Sequence, residues 1–127
     1  MKSGEINSLF RNLSKVTKNP RSDLKYKNKF TLLVSVVLSA QCTDFNVNNV
    51  TKNIYPKYNK PEHFVKLGRK KIEKLIKSIG LFRNKAKSVY LLSKQLIEKH
   101  NGKVPKNFDN LYALPGVGKK TASVVLN

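Results

Sequence analysis

Residues 107–127 read NFDNLYALPGVGKKTASVVLN, and this stretch decides the expected fold. Asn107 can cap a short helix. Residues 115–118, Pro-Gly-Val-Gly, follow as a tight turn, because glycine reaches backbone torsions that other residues avoid. A second helix then begins at Lys119. The segment therefore predicts two short helices joined by a hairpin turn. The side chains expected to face inward are Phe108, Leu111 and Leu114 in the first helix and Ala122, Val124, Val125 and Leu126 in the second.

The turn at residues 115–118 can serve a ligand as well as connect two helices. Main-chain N–H groups at the start of a helix lack intrahelical partners, and the helix dipole adds positive potential there. Such a place suits a phosphate group. Pro-Gly-x-Gly is equally a simple connection, since short glycine motifs recur by chance. The capping residue before the turn and the pair Lys119 and Lys120 after it favour a single supersecondary unit.

The remaining chain predicts helices joined by short loops, because apolar residues recur at helical spacing and stop near proline, glycine or asparagine. Ser35 and Ser39 are expected to bond back to the preceding turn of their buried helix. Gly80 is expected to end its helix in the left-handed conformation. With no alternating strand pattern, the predicted fold is an all-α helical bundle. The expected helices cover residues 6–16, 30–40, 43–55, 61–65, 69–78 and 84–100.

The charge of the chain points to a polyanionic partner. Lysine and arginine outnumber acidic residues 26 to 7, which gives a formal net charge of +19. Such an excess favours binding to nucleic acid. Only four of these 26 residues are arginine, and lysine codons are A/T-rich, so genome composition alone can produce the same bias. Charge therefore supports a nucleic-acid partner without establishing one.

Three further features narrow the class of protein. The longest apolar stretch, residues 30–40, is far shorter than the ~20 residues of a membrane span. Residues 1–10 lack the apolar run of a secretory signal. We therefore expect a cytoplasmic protein without membrane contact. The single cysteine, Cys42, excludes an internal disulfide and supplies too few ligands for a zinc or iron–sulfur site, so it is expected to be a small buried residue and no metal site is expected.

Residues 114–122, LPGVGKKTA, resemble the helix-hairpin-helix signature of the endonuclease III family of base-excision DNA glycosylases. Three other segments resemble the same family in the same order. They are residues 38–44, LSAQCTD; residues 78–86, SIGLFRNKA; and residues 100–105, HNGKVP. The resemblance extends over essentially the entire chain.

The resemblance implies a protein that flips a damaged base out of double-stranded DNA. The hairpin would hold backbone phosphates through main-chain donors. Gln41 would fill the gap left by the flipped base, and Leu81 would wedge into the facing strand. From spacing alone, Leu81 is better read as a hydrophobic cap contact that follows Gly80. The residues implied in DNA binding are Gln41, Leu81, Gly116, Val117, Gly118 and Lys119.

Lys120 matches the family position that gives a glycosylase its lyase activity. Its amine would attack the sugar C1′, expel the base and form a Schiff base, after which β-elimination nicks the strand. The attack needs a neutral amine, and both Lys119 and the helix N-terminus disfavour a second positive charge there. The implied substrates are oxidised pyrimidines and abasic sites. Without the resemblance, a solvated lysine that binds phosphate is the simpler interpretation.

The resemblance also implies a domain organisation. Residues 1–20 would be a helix of a second, iron–sulfur domain, and residues 21–127 a glycosylase domain that is incomplete at its C-terminus, with the helix-hairpin-helix at 107–127. The catalytic aspartate and the cysteines of the family's [4Fe-4S] cluster lie beyond Asn127, so this chain would hold no cofactor. We expect a monomer that binds DNA weakly and has little glycosylase turnover. The alternatives are a non-catalytic helix-hairpin-helix DNA-binding fragment and a small basic RNA-binding protein.

Overall fold

The computed structural model describes residues 24–126, and within that range all regular secondary structure is helical. The predicted all-α fold is confirmed. The predicted helix at residues 6–16, and with it the assignment of residues 1–20 to a second domain, lies outside the described residues. The helices are α1 (Lys29–Leu38), α2 (Asp44–Thr51), α3 (Pro61–Leu67), α4 (Arg69–Leu75), α5 (Phe82–His100), α6 (Phe108–Tyr112) and α7 (Lys119–Leu126).

Helix α1 lies at the centre of the fold. Every residue from Phe30 to Leu38 is buried, and α1 contacts α2, α5 and α7. Its first turn is fixed by a capping box, in which the Asn28 side chain accepts from the Thr31 N–H and the Thr31 hydroxyl accepts from the Asn28 N–H. A helix that is apolar on all sides needs neighbours on all sides. The other helices therefore assemble around α1.

The two serines of the buried segment behave differently from each other. The Ser39 hydroxyl donates to the Val36 carbonyl at 2.7 Å, as the sequence predicts. The prediction for Ser35 is wrong, because its hydroxyl lies 2.5 Å from the Tyr55 hydroxyl. Tyr55 in turn donates to the Thr31 carbonyl at 3.0 Å. This buried chain of hydrogen bonds joins α1 to the turn that follows α2.

Helix α5 is the longest element and packs against α3, α4 and α1. Its apolar face follows helical spacing, and its basic last turn ends in Asn101, whose φ of 55° is left-handed. Asn101-Gly102 therefore stops the helix where the sequence predicts. The buried residues of α5 are Lys85, Ala86, Val89, Leu92, Ser93 and Leu96. A lysine within this set is unexpected.

Several predicted helix ends need correction. Helix α4 ends at Leu75 and α2 at Thr51, both earlier than predicted. Gly80 does not adopt the left-handed conformation, which falls instead on Leu81 with φ 59°. Leu126, expected to face inward, is exposed at the end of α7. The early ends of α2 and α4 and the exposure of Leu126 share a cause, because helical periodicity marks the buried face of a segment more sharply than its last turn.

No helix among residues 24–126 is both long enough and apolar enough to cross a membrane.

Candidate nucleic-acid interface

The hairpin between α6 and α7 is built by its own hydrogen bonds and by α5. The Asn107 side chain caps α6 by accepting from the Asn110 N–H at 2.8 Å. Gly116 has φ 77°, a conformation that favours glycine. A Cβ atom placed on Gly116 would lie 2.5 Å from the Ser88 Cβ of α5. The turn is therefore pressed against α5 at a position where only glycine fits.

Gly118 occupies a different environment from Gly116. Its φ is not positive, and a Cβ atom placed there would have no atom within 4 Å. Its carbonyl accepts the first intrahelical bond of α7, from the Ala122 N–H at 3.0 Å. The N–H groups of the first turn, from Lys119 onward, therefore have no acceptor within the helix. Gly118 has no side chain to cap them, so the start of α7 is open to an external acceptor such as a phosphate.

Val117 anchors the turn between these glycines. Its side chain is only 6% exposed and belongs to the core. Its N–H donates to the Leu114 carbonyl at 3.2 Å, within the turn itself. Of the hairpin residues implied in DNA binding, Val117 therefore faces inward, whereas Gly116, Gly118 and Lys119 are exposed.

Lys120 and Gln41 line the same cavity. The cavity has a volume of about 450 Å³ and opens between the start of α7 and the end of α1. Lys120 itself is exposed on the first turn of α7, where the helix dipole is positive. The Lys120 side chain is thus on the side of α7 that faces Gln41. The cavity is lined by Leu24, Val36, Ser39, Ala40, Gln41, Asp44, Lys120, Thr121 and Val124.

Gln41 projects from a tight turn between α1 and α2. Its φ of 57° is left-handed, and its side chain is exposed. The turn is closed by the Cys42 N–H, which donates to the Ser39 carbonyl at 3.0 Å. Thr43 then caps α2 by accepting from the Asn46 N–H at 3.1 Å. Both flanks of Gln41 are therefore fixed while its side chain remains free to meet a ligand.

Leu81 projects from a second turn, at the start of α5. It is 53% exposed and left-handed with φ 59°. The reading of Leu81 as a hydrophobic cap contact is wrong, because a side chain in such a contact would be covered. An exposed leucine on a constrained turn instead presents apolar surface to solvent. Leu81 does not line the cavity of Gln41 and Lys120.

Lys85 belongs to this region and was assigned no role from the sequence. It is 5% exposed, and its Nζ donates to the Ala40 carbonyl at 2.5 Å. Burial lowers the pKa of Lys85, and the nearby Cys42 thiol acts in the opposite direction. One sequence signal could have identified it. Lys85 lies four residues before Val89 and next to Ala86, on the apolar face of α5.

The residues present do not fit the iron–sulfur cluster of the family. The chain has one cysteine. Cys42 is half-buried against the core, and its Sγ accepts from the Asn46 side chain at 3.3 Å. Between residues 24 and 126 no group of three or more histidine, cysteine or acidic side chains could hold a metal ion.

The site combines a hairpin that is open to phosphate with a cavity lined by a lysine, and comparison with known families assigns the chain to a class of DNA repair proteins. Residues 34–125 match the family described as "HhH-GPD superfamily base excision DNA repair protein". Because this match spans most of the chain, the protein belongs to the HhH-GPD superfamily.

Within the superfamily, the chain is similar to bacterial endonuclease III, as its motifs predict. It is 51% identical over 122 residues to endonuclease III of Rickettsia conorii, covering 96% of this chain and 58% of the relative. It is 50% identical over 105 residues to endonuclease III of Bacillus subtilis, covering 83% of this chain and 48% of the relative. The chain thus spans about half the length of these curated relatives.

The chain is also similar in fold to solved structures of DNA glycosylases. A trapped endonuclease III–DNA covalent intermediate, in an estranged-adenine complex, aligns with a TM-score of 0.79 at 50% identity, covering 81% of this chain and 48% of that one. A thermostable thymine-DNA glycosylase aligns with a TM-score of 0.74 at 27% identity, covering 89% of this chain and 51% of that one.

Proposed function

We propose that the chain functions in base excision repair as a DNA N-glycosylase with AP lyase activity on oxidised pyrimidines and abasic sites in double-stranded DNA, and that base removal by these 127 residues is much weaker than their lyase step. One observation carries the proposal. Lys120, the chain's counterpart of the family's nucleophile, lines the same cavity as Gln41, at a helix start that follows an open hairpin. The solved relative trapped as a covalent complex with DNA supports it.

The hairpin would hold the DNA without reading its sequence. Phosphate oxygens would accept from the N–H groups of the first turn of α7, and the Lys119 side chain would add a positive charge. Gly118 leaves room for this approach, because no atom lies where its side chain would be. This contact would bring an extruded sugar to the mouth of the cavity.

Lys120 would carry the covalent chemistry. At an abasic site, the lone pair of its Nζ attacks the aldehyde carbon C1′, and loss of water leaves an imine between Nζ and C1′. The imine draws electrons from C2′, so that loss of a C2′ proton expels the 3′ phosphate and nicks the strand. With a damaged base in place, Nζ would instead displace the base from C1′. The bond between C1′ and the base breaks, the base leaves with the proton that Nζ gives up, and opening of the sugar ring then yields the same imine.

The test is borohydride trapping on duplex DNA that carries one abasic site. Borohydride reduces the imine and fixes the adduct. We expect the wild-type chain to be trapped and Lys120→Gln to give no adduct while its duplex binding is retained. Lys94→Gln removes an exposed lysine of α5 and is the matched control, with trapping unchanged.

Two results would contradict the proposal. The first is trapping by the Lys120→Gln variant at the wild-type level, which would mean that another amine reacts. The second is the absence of any adduct with the wild-type chain, which would leave a DNA-binding module without chemistry. A parallel duplex with thymine glycol measures base removal separately from the lyase step.

A further inference from the structure

Two exposed residues in left-handed conformations lie on separate segments of the site. Gln41 has φ 57° and Leu81 has φ 59°, and neither is glycine. Such a conformation costs a side-chain-bearing residue about 1–3 kcal/mol and persists only where surrounding contacts enforce it. The contacts that hold these two turns therefore determine where the Gln41 and Leu81 side chains project.

One residue contacts both turns. The Lys85 main-chain N–H donates to the Leu81 carbonyl at 3.0 Å, and this bond closes the first turn of α5. The Lys85 Nζ donates to the carbonyl of Ala40, the residue before Gln41, at 2.5 Å. Lys85 is therefore one residue that is hydrogen-bonded to both the Leu81 turn and the Gln41 turn.

Packing alone does not require a lysine at this position. The Lys85 side chain is buried, and its hydrogen-bond partner is a neutral carbonyl. Burial of a cation carries a desolvation penalty that such a partner offsets only in part, and the lowered pKa of Lys85 reflects that penalty. A methionine would fill similar space without the penalty. What the ammonium group adds beyond packing is its hydrogen bond to the Ala40 carbonyl.

We propose that Lys85 is a positioning residue, which sets the separation of Gln41 and Leu81 so that both side chains enter the duplex at one lesion; this inference rests on the proposed function and on the insertion of Gln41 and Leu81 that the resemblance implies. Without the Nζ bond, the Gln41 turn loses its link to α5 and samples other conformations. Lys85 does not line the cavity of Gln41 and Lys120. Its effect is on recognition of a damaged site.

The experiment compares two duplexes bound to the intact 127-residue chain. One is undamaged, and the other carries a tetrahydrofuran abasic analogue opposite 2-aminopurine, whose fluorescence reports insertion of side chains beside it. For Lys85→Met we expect the preference for the abasic duplex to fall about tenfold, the loss of one charge-assisted hydrogen bond. The fluorescence change falls with it. Binding to the undamaged duplex and the melting temperature stay at wild-type values or above.

Three further variants test whether the effect depends on the charge, the length and the position of the lysine side chain. Lys85→Arg retains a long cationic donor and should recover most of the preference. Lys85→Gln is uncharged and too short to reach the Ala40 carbonyl, so it should reproduce the loss even if Lys85→Met does not fold. Lys94→Met removes an exposed lysine from the same helix and should leave both bindings unchanged.

The inference is overturned if Lys85→Met and Lys85→Gln retain the wild-type preference and fluorescence change. It is also overturned if both variants unfold. The same holds if their affinities for the undamaged and the abasic duplex fall together with the melting temperature, since that pattern indicates a purely structural residue. A wild-type chain with no preference for the abasic duplex would instead contradict the proposed function itself.

Discussion

Gly116 and Gly118 flank Val117 symmetrically in the sequence, but their surroundings differ. Gly116 is left-handed and in close contact with Ser88, whereas Gly118 has an ordinary φ and open space beside it. The first glycine is required by the fold. The second leaves a surface free for another molecule. A substitution at each position therefore separates folding from DNA binding.

Gly116→Ala is expected to destabilise the protein. The left-handed backbone alone costs about 1–3 kcal/mol for a residue with a side chain. The new methyl carbon would also lie 2.5 Å from the Ser88 Cβ, so α5 or the turn must shift. Chemical denaturation monitored by circular dichroism measures the free energy of unfolding. A variant as stable as wild type would contradict the described packing of the turn on α5.

Gly118→Ala is expected to keep its stability within about 0.5 kcal/mol of wild type, because the methyl group meets no atom. Duplex binding should weaken about tenfold, since the methyl group occupies the approach of a phosphate to the N–H groups of α7. Fluorescence anisotropy with a labelled duplex gives the affinity. Unchanged affinity would remove the hairpin from the DNA interface.

The residues of the site were predictable to different extents. The hairpin was predictable because glycine and proline at fixed spacing leave a local signature, whereas the role of Lys120 is implied only by the resemblance and stays a prediction. Lys85 was not predictable, because its partner is the Ala40 carbonyl, 45 residues away in the chain. The left-handed conformation predicted for Gly80 is found at Leu81 instead, where the Leu81 carbonyl accepts from the Lys85 N–H at 3.0 Å.

Among the helices, α1 depends on a polar contact within the core. The Tyr55 hydroxyl donates to the Thr31 carbonyl, and the Ser35 hydroxyl bonds the Tyr55 oxygen. Burial raises the pKa of Tyr55, and the hydrogen bond from Ser35 acts weakly in the opposite direction. The neutral phenol is therefore strongly favoured in the folded state.

This raised pKa predicts a loss of stability at alkaline pH. The phenol of the unfolded chain titrates near its ordinary value of about 10, whereas the folded chain keeps its proton above that pH. Stability linked to Tyr55 is therefore complete below about pH 10 and declines as the pH rises further. Tyr55→Phe should remove this part of the pH dependence. Urea denaturation at pH values around 9 and 10.5 measures the free energy of unfolding of both proteins. An equal loss of stability between the two pH values would contradict the role of Tyr55 in this pH dependence.

Helix positions follow from sequence better than helix ends do. The helices around Leu33, Val89 and Leu111 lie where apolar spacing places them, because each must bury one face. Helix α4 ends early although Ile76 and Ile79 continue the apolar pattern. Both are buried, and the Ile79 N–H bonds the Ile76 carbonyl in a turn. Burial does not require helical backbone, so periodicity overestimates the length of this element.

Across the entire protein, the positive charge favours any polyanion, so charge alone does not identify the DNA surface. For a chain with net charge +19, the logarithm of the binding constant should fall linearly with the logarithm of the salt concentration. The slope reports how many phosphates are neutralised. Changes in slope between variants therefore locate the protein surface that contacts the DNA phosphates.

Lys119→Gln should reduce the salt slope for duplex binding by about 1, the value for one lost phosphate contact. Lys94→Gln, also an exposed lysine, should leave the slope unchanged. Anisotropy titrations over a range of salt concentrations measure both. Equal slopes for the two variants would show that Lys119 contributes only general charge.

The most direct measurement is the position of the adduct on the chain. The wild-type protein is trapped with borohydride on abasic duplex DNA, digested with a protease and mapped by mass spectrometry. The chain offers 22 lysines, so the site of attachment is informative. We predict a single modified residue, Lys120. Attachment at Lys119, or spread over many exposed lysines, would contradict the assignment of the nucleophile to the cavity of Gln41.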